Sequence, residues 1–292
     1  MSRFRRLAVL GLLTVIVSAC GGGGGGTTTT PTGPGPTPGP SSSDPVVIAP
    51  YTFNFGTVTS TADRQAILDG VQYAHAFFLS TFGRTITEAT TVTASTSAQG
   101  CANGGGAAFT GPREVTFCVG NPGWLAHGPI VRQKIAMHEI YHVLQFEMGW
   151  LGKPLTGAEW ILEGAAEIVA FRAIAAKGLL PFETALGCMV KEVADFAVQQ
   201  PPGLPNLQQL EGPQQFRTTQ GPLYALAFIG LNQLTTSGGL PALNTYGTAI
   251  AGGTDFPSAF TSAFGTPRSA FYAQWPAHLA SLPVPATYLC GV

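Results

Sequence analysis

Residues 138–142 read His-Glu-Ile-Tyr-His, and no other stretch limits the fold as tightly. Histidine is scarce, with five in 292 residues (His75, His127, His138, His142 and His278). Two of them nevertheless fall four apart, inside a pattern of helical period running from about Pro129 to Met148. At 3.6 residues per turn, positions i and i+4 share one face, so both imidazoles can reach one ion. Neutral imidazole suits zinc, and a catalytic zinc site also needs a third protein ligand and an open position for water. Glu139, next to the first histidine, is placed to take a proton from that water.

The third ligand decides what kind of site this is. No third histidine or aspartate follows within the next dozen residues. Farther on, Trp160-Ile161-Leu162-Glu163-Gly164-Ala165-Ala166-Glu167 lies in a second helical pattern, about Thr156 to Lys177, that ends at Gly178. Glu163 and Glu167 share one helix face. A carboxylate among Ile, Leu, Ala and Val is costly to bury without a cation, so a cationic partner is expected. The alternative is a pair of solvated helix charges.

These residues resemble the gluzincin peptidases, the group that includes thermolysin and the aminopeptidase N-like enzymes. In many members a Trp-Leu-x-Glu-Gly-x-Ala-Glu segment follows HExxH on the next helix. The resemblance implies that Glu163 joins His138 and His142 as a ligand of one zinc ion per chain, with Glu139 as general base. It also implies that Glu167 orients a ligand histidine through its free ring nitrogen. Leu204-Pro205-Asn206-Leu207-Gln208-Gln209-Leu210, then Tyr224-Ala225-Leu226-Ala227-Phe228, is similar to peptidase-MA-like domains. Phe260 to Gly265, with Phe271 and Trp275, is similar to their closing helices. Roughly residues 60–285 are covered, with the specific motifs at 138–167. By that resemblance Tyr224 would donate to the oxyanion; otherwise it is a core tyrosine. The expected fold is a zincin-like α+β domain: a small N-terminal sheet, an active-site helix and a mainly helical C-terminal subdomain. The expected substrate is a peptide or protein. No Gly-x-Met-Glu-Asn element is present to hold a free substrate amine, which favours internal cleavage. A rival reading is a catalytically inactive zinc-binding surface lipoprotein, acting as adhesin or scaffold.

Not all of the chain belongs to this domain. Residues 1–20 read as an export signal, with Arg3, Arg5 and Arg6 before an apolar run too short to span a bilayer. Val17-Ser18-Ala19-Cys20 resembles the bacterial lipobox, which implies cleavage before Cys20, its acylation and attachment to a membrane of the cell envelope. Residues 21–45, rich in Gly, Thr, Pro and Ser, read as a disordered tether. Residues 46–292 then form the domain.

Within it, a helix is expected from about Ala62 to Phe82 and strands over Ile86–Thr96 and Glu114–Val119, with a Gly-rich loop between the strands around Cys101. From Glu183 onward the pattern is mostly helical. Strands first and helices after imply an α+β domain. The strand Glu114–Val119 is the one expected to pair with an extended substrate. Four cysteines in an exported chain favour disulfides, and Cys101–Cys118 with Cys188–Cys290 is the preferred pairing. Charged residues make up only 10% of the chain and the net charge is −1, with no basic face, so nucleic acid is not an expected partner. His75, His127 and His278 are expected to be packing or surface histidines.

Overall fold

The computed structural model describes residues 45–56, 59–96, 101, 107–151, 158–199 and 204–287. The export signal, Cys20 and all but the last residue of the tether lie outside the described residues. Strands with an interposed helix come first and helices follow, so the domain is α+β, as its sequence pattern predicts.

Five strands form one sheet: β1 (Val46–Ile48), β2 (Tyr51–Phe55), β3 (Thr90–Ser95), β4 (Ala108–Gly111) and β5 (Glu114–Cys118). Their spatial order is β1-β2-β3-β5-β4. β2, β3 and β5 run parallel, whereas β1 and β4 are antiparallel to their neighbours at the two edges. Parallel neighbours need a long crossover, and α1 (Thr61–Phe82) supplies it between β2 and β3. Ser60 caps α1 by accepting the Asp63 N–H, and Gly83 ends it in the left-handed region at φ 65°. Register places Phe53, Val92 and Val115 in one row and Phe55, Ala94 and Phe117 in the next. All six are buried, which the two-residue strand period requires of a core-facing set.

Two sequence expectations change here. The strand expected over Ile86–Thr96 begins only at Thr90. The Glu147 carboxylate accepts the backbone N–H groups of Thr87 and Glu88 at 3.1 and 2.9 Å, so those donors are not offered to a neighbouring strand. The strand expected to pair with substrate, Glu114–Val119, is internal: β5 bonds to β3 on one side and β4 on the other. β4 arises from residues next to the Gly-rich stretch and takes the edge instead.

Beyond the sheet, a short α2 (Pro122–Leu125) leads to α3 (Pro129–Glu147), which packs against α1, β4 and β5. Gly70 permits the α1–α3 approach: a Cβ there would stand 2.6 Å from the Ala136 Cβ and 2.7 Å from the Gln133 carbonyl oxygen. Next, α4 (Glu159–Ala176) is buried on almost every side, as a central helix must be. It packs between α3 and α7 (Leu223–Gly238). α5 (Phe182–Gln199), a 3-10 turn at Leu207–Leu210, α6 (Pro213–Thr218), α8 (Pro241–Ala251), α9 (Phe256–Phe264) and α10 (Arg268–Ser281) form the helical remainder. α10 is tied to α4 by Trp160, whose Nε1 donates to the Tyr272 hydroxyl at 3.0 Å; that hydroxyl donates to Glu211 at 2.6 Å.

Cys101 and Cys118 form a disulfide, the first of the expected pairs. Cys188 is also disulfide-bonded, and Cys290, its expected partner, lies outside the described residues. Among the described residues no helix is long and apolar enough to cross a membrane.

Candidate metal centre

α3 turns His138 and His142 to one face, and their Nε2 atoms lie 3.0 Å apart. α4 crosses that face and brings in Glu163, whose Oε2 lies 3.3 Å from each of the two nitrogens. All three side chains are buried, and their ligand atoms form one group that can hold a metal ion. Beside Glu163, Gly164 lets α4 and α7 touch: a Cβ there would lie 2.7 Å from the Ala227 carbonyl oxygen.

The outer nitrogens of the two rings fix what the inner ones offer. Gln145 Nε2 donates to the Leu162 carbonyl at 3.1 Å, which turns its Oε1 toward His142 Nδ1 at 2.7 Å. An amide oxygen only accepts, so Nδ1 of His142 carries the proton and Nε2 presents a lone pair. His138 Nδ1 stands 3.0 Å from Glu167 Oε1, within ion-pair range. Three possible ligand atoms, two nitrogens and Glu163 Oε2, converge in a buried space. Glu163 Oε2 has no hydrogen-bond partner. A tetrahedral ion with bonds of about 2.0–2.1 Å separates its ligand atoms by about 3.3 Å. The observed separations of 3.0, 3.3 and 3.3 Å fit that figure.

Burial alone would lower the pKa of His138, but the nearby Glu163 and Glu167 carboxylates raise it to about 10. His142 moves the same way, with burial opposing and the Glu163 charge prevailing. Burial would raise Glu163, but the two imidazoles hold it well below the usual carboxylate range.

Around this centre stand four more groups. Glu139 is fully buried; its Oε2 accepts from Thr110 Oγ1 at 2.5 Å and its Oε1 has no partner. Lys134 Nζ donates to both oxygens of Glu167 at 2.8 and 2.9 Å. Burial would raise Glu167, but Lys134 and then His138 bring it down to about 2. Tyr224, at the start of α7, is half-buried with its ring 6.1 Å from that of His138 and edge-on to Phe216. Glu159, one turn before Glu163, is buried with Oε2 unpartnered and Arg217 3.6 Å from Oε1.

The structure therefore brings together His138, Glu139, His142, Glu163, Glu167 and Tyr224, all of which were singled out from sequence. It adds Thr110, Lys134 and Gln145. Lys134 is four residues before His138 and Gln145 three after His142, so helical spacing alone could have found both. Thr110 depends on the β4–β5 register, which no short-range pattern reveals. His75, His127 and His278 take no part in the ligand group; His75 instead bonds to Tyr51 and Thr85. No family model matches this chain and no curated protein matches it, so the functional reading rests on the geometry of the centre itself.

Proposed function

We propose that the chain is a zinc-dependent peptidase cleaving within peptide or protein substrates, with His138, His142 and Glu163 holding one zinc ion. The observation that carries this reading is the meeting of two histidine nitrogens and one carboxylate oxygen at tetrahedral spacing beside a buried carboxylate, Glu139. Two nitrogens and one carboxylate oxygen are a donor set that zinc accepts in catalytic sites. When bound, zinc supplies Lewis acidity, polarising a carbonyl and acidifying a water.

The chain's own residues do the rest. Glu139 takes a proton from the attacking water and returns it to the leaving amine. Glu167, held by Lys134, and Gln145, held by the Leu162 carbonyl, keep each imidazole turned inward. Tyr224, beside His138, is placed to donate to the developing oxyanion. β4, as edge strand, offers its backbone to an extended substrate in the role first expected of Glu114–Val119. An edge strand packed on the ligand-bearing helix, with the third ligand on the next helix, supports a zincin-like domain of the gluzincin kind. We further infer that Cys20 carries the lipid anchor and that residues 21–45 tether the domain to a cell-envelope membrane.

Cleavage of a broad peptide library by the zinc-loaded wild type and Glu139→Gln tests the reading. Wild type is expected to cleave and the variant to lose activity by about 10²–10⁴-fold, the usual contribution of a general base. If zinc stays bound while both proteins are inert, the non-catalytic adhesin or scaffold reading replaces this one.

A further inference from the structure

Glu139 has no exposure to solvent, so its two carboxylate oxygens depend on protein groups, and they are treated differently. Thr110 Oγ1 lies 2.5 Å from Oε2 and 3.4 Å from the backbone oxygen of the same residue. A hydroxyl has one proton to give, and the nearer oxygen receives it. Oε1 is left buried without a partner. The donor is itself immobile. Thr110 is buried, lies in β4 opposite Val115 of β5, and is β-branched, with few side-chain rotamers open to it. The orientation of Glu139 is therefore set by the sheet as well as by its own helix.

We propose that Thr110 is the positioning residue of the general base, its hydroxyl pinning Oε2 of Glu139 so that Oε1 alone handles the proton. The proposal rests on the peptidase reading above. Oε1 accepts one proton from water as the water oxygen bonds to the carbonyl carbon. The same oxygen gives that proton to the nitrogen as the C–N bond breaks. One water is consumed per bond cleaved, and no group is oxidised or reduced. If Oε2 were free, the carboxylate could rotate and either oxygen could face the water, and a misplacement on the order of 1 Å costs about 10²-fold in rate.

The test uses the full mature chain as wild type, Thr110→Val and Thr110→Ser, each loaded with zinc. Three quantities are read: zinc affinity by chelator competition, kcat and KM on a library peptide that wild type cleaves, and calorimetric binding of acetohydroxamate. The last needs no turnover, because the hydroxyl proton of the probe passes to a carboxylate beside the metal. For Thr110→Val, zinc affinity is expected within about threefold of wild type, kcat lower by about 10- to 100-fold and KM little changed. Acetohydroxamate binding should weaken by about tenfold, and Thr110→Ser should restore both kcat and probe binding.

Unchanged kcat and probe affinity in Thr110→Val would overturn the proposal. So would equal losses in the valine and serine variants, since a side chain that keeps the hydroxyl would then do no better than one that lacks it. If Thr110→Val does not fold, Thr110→Ser against Thr110→Ala gives the same contrast, differing by the hydroxyl alone. A wild type that binds zinc and the probe but cleaves nothing removes the peptidase reading, and the probe contrast still decides Thr110. A wild type that binds no zinc removes both.

Discussion

Replacing Lys134 with methionine removes one half of a buried ion pair and leaves the other in place. Both side chains are buried, 6% and 1% exposed, and Nζ reaches both oxygens of Glu167. Stranding a buried charge in this way costs about 3–5 kcal/mol, whereas an exposed pair contributes no more than about 1 kcal/mol. Methionine keeps a similar length and its contact with Phe171, over whose ring Nζ now sits at 5.1 Å, so lost packing adds little. At about 2–4 °C per kcal/mol for a domain of this size, the metal-free protein should melt about 6–20 °C lower.

Glu167 is depressed from 4.5 to about 2, so its contribution is present above pH 4.5 and is lost as pH falls through about 2. Lys134→Met should lose much of that acid-side dependence. The double variant Lys134→Met/Glu167→Gln removes both charges while keeping an acceptor for His138 Nδ1, and it should recover most of the loss. Urea unfolding of the four proteins reads the whole cycle. A single variant within about 1 kcal/mol of wild type, on the scale of an exposed pair, would contradict a buried, coupled pair. So would a double variant as unstable as the two single losses added together.

Gln145→Ala should weaken zinc binding by about 10- to 100-fold in chelator competition, because His142 Nδ1 loses the acceptor that fixes its tautomer; an unchanged affinity would show that the ring is held some other way. Gly164→Ala places a Cβ 2.7 Å from the Ala227 carbonyl oxygen and should cost about 1–3 kcal/mol in unfolding while also displacing Glu163, which zinc titration detects. Burial, and after it the Glu163 charge, raises the Glu159 pKa from 4.5 to about 7. The fold therefore favours the protonated form: its contribution is complete below pH 4.5 and lost as pH rises through about 7. In metal-free protein, wild type should lose about 3 kcal/mol relative to Glu159→Gln across that window, and parallel stability curves for the two would contradict the assignment.

The centre was legible wherever it depends on helical spacing. His138 and His142 at i and i+4, and Glu163 and Glu167 at i and i+4, declare two faces, and an acidic pair among apolar neighbours declares that its helix is buried against a cation. The α1 and α3 boundaries were readable for similar reasons, with Gly83 marking the end of α1 and Pro129 the start of α3. Where the reading failed, long-range contacts decide. The stretch Ala108-Phe109-Thr110-Gly111 has only four residues and modest strand preference, and it becomes a strand because Pro112-Arg113 turns it back onto β5. That pairing makes β5 internal and brings Thr110 to Glu139. Ile86 and Thr87 are strand-forming residues, yet Glu147, some 60 positions away, takes the backbone donors of Thr87 and Glu88. No local pattern records either event.

Zinc K-edge absorption on stoichiometrically loaded protein reads whether His138, His142 and Glu163 hold one zinc ion. One zinc per chain with two imidazoles and an oxygen shell at about 2.0–2.2 Å and no sulfur is expected. Glu163→Gln should lower zinc affinity while leaving the two-imidazole signature. Sulfur in the coordination shell, fewer than two imidazoles, or an affinity indifferent to Glu163 would contradict that assignment.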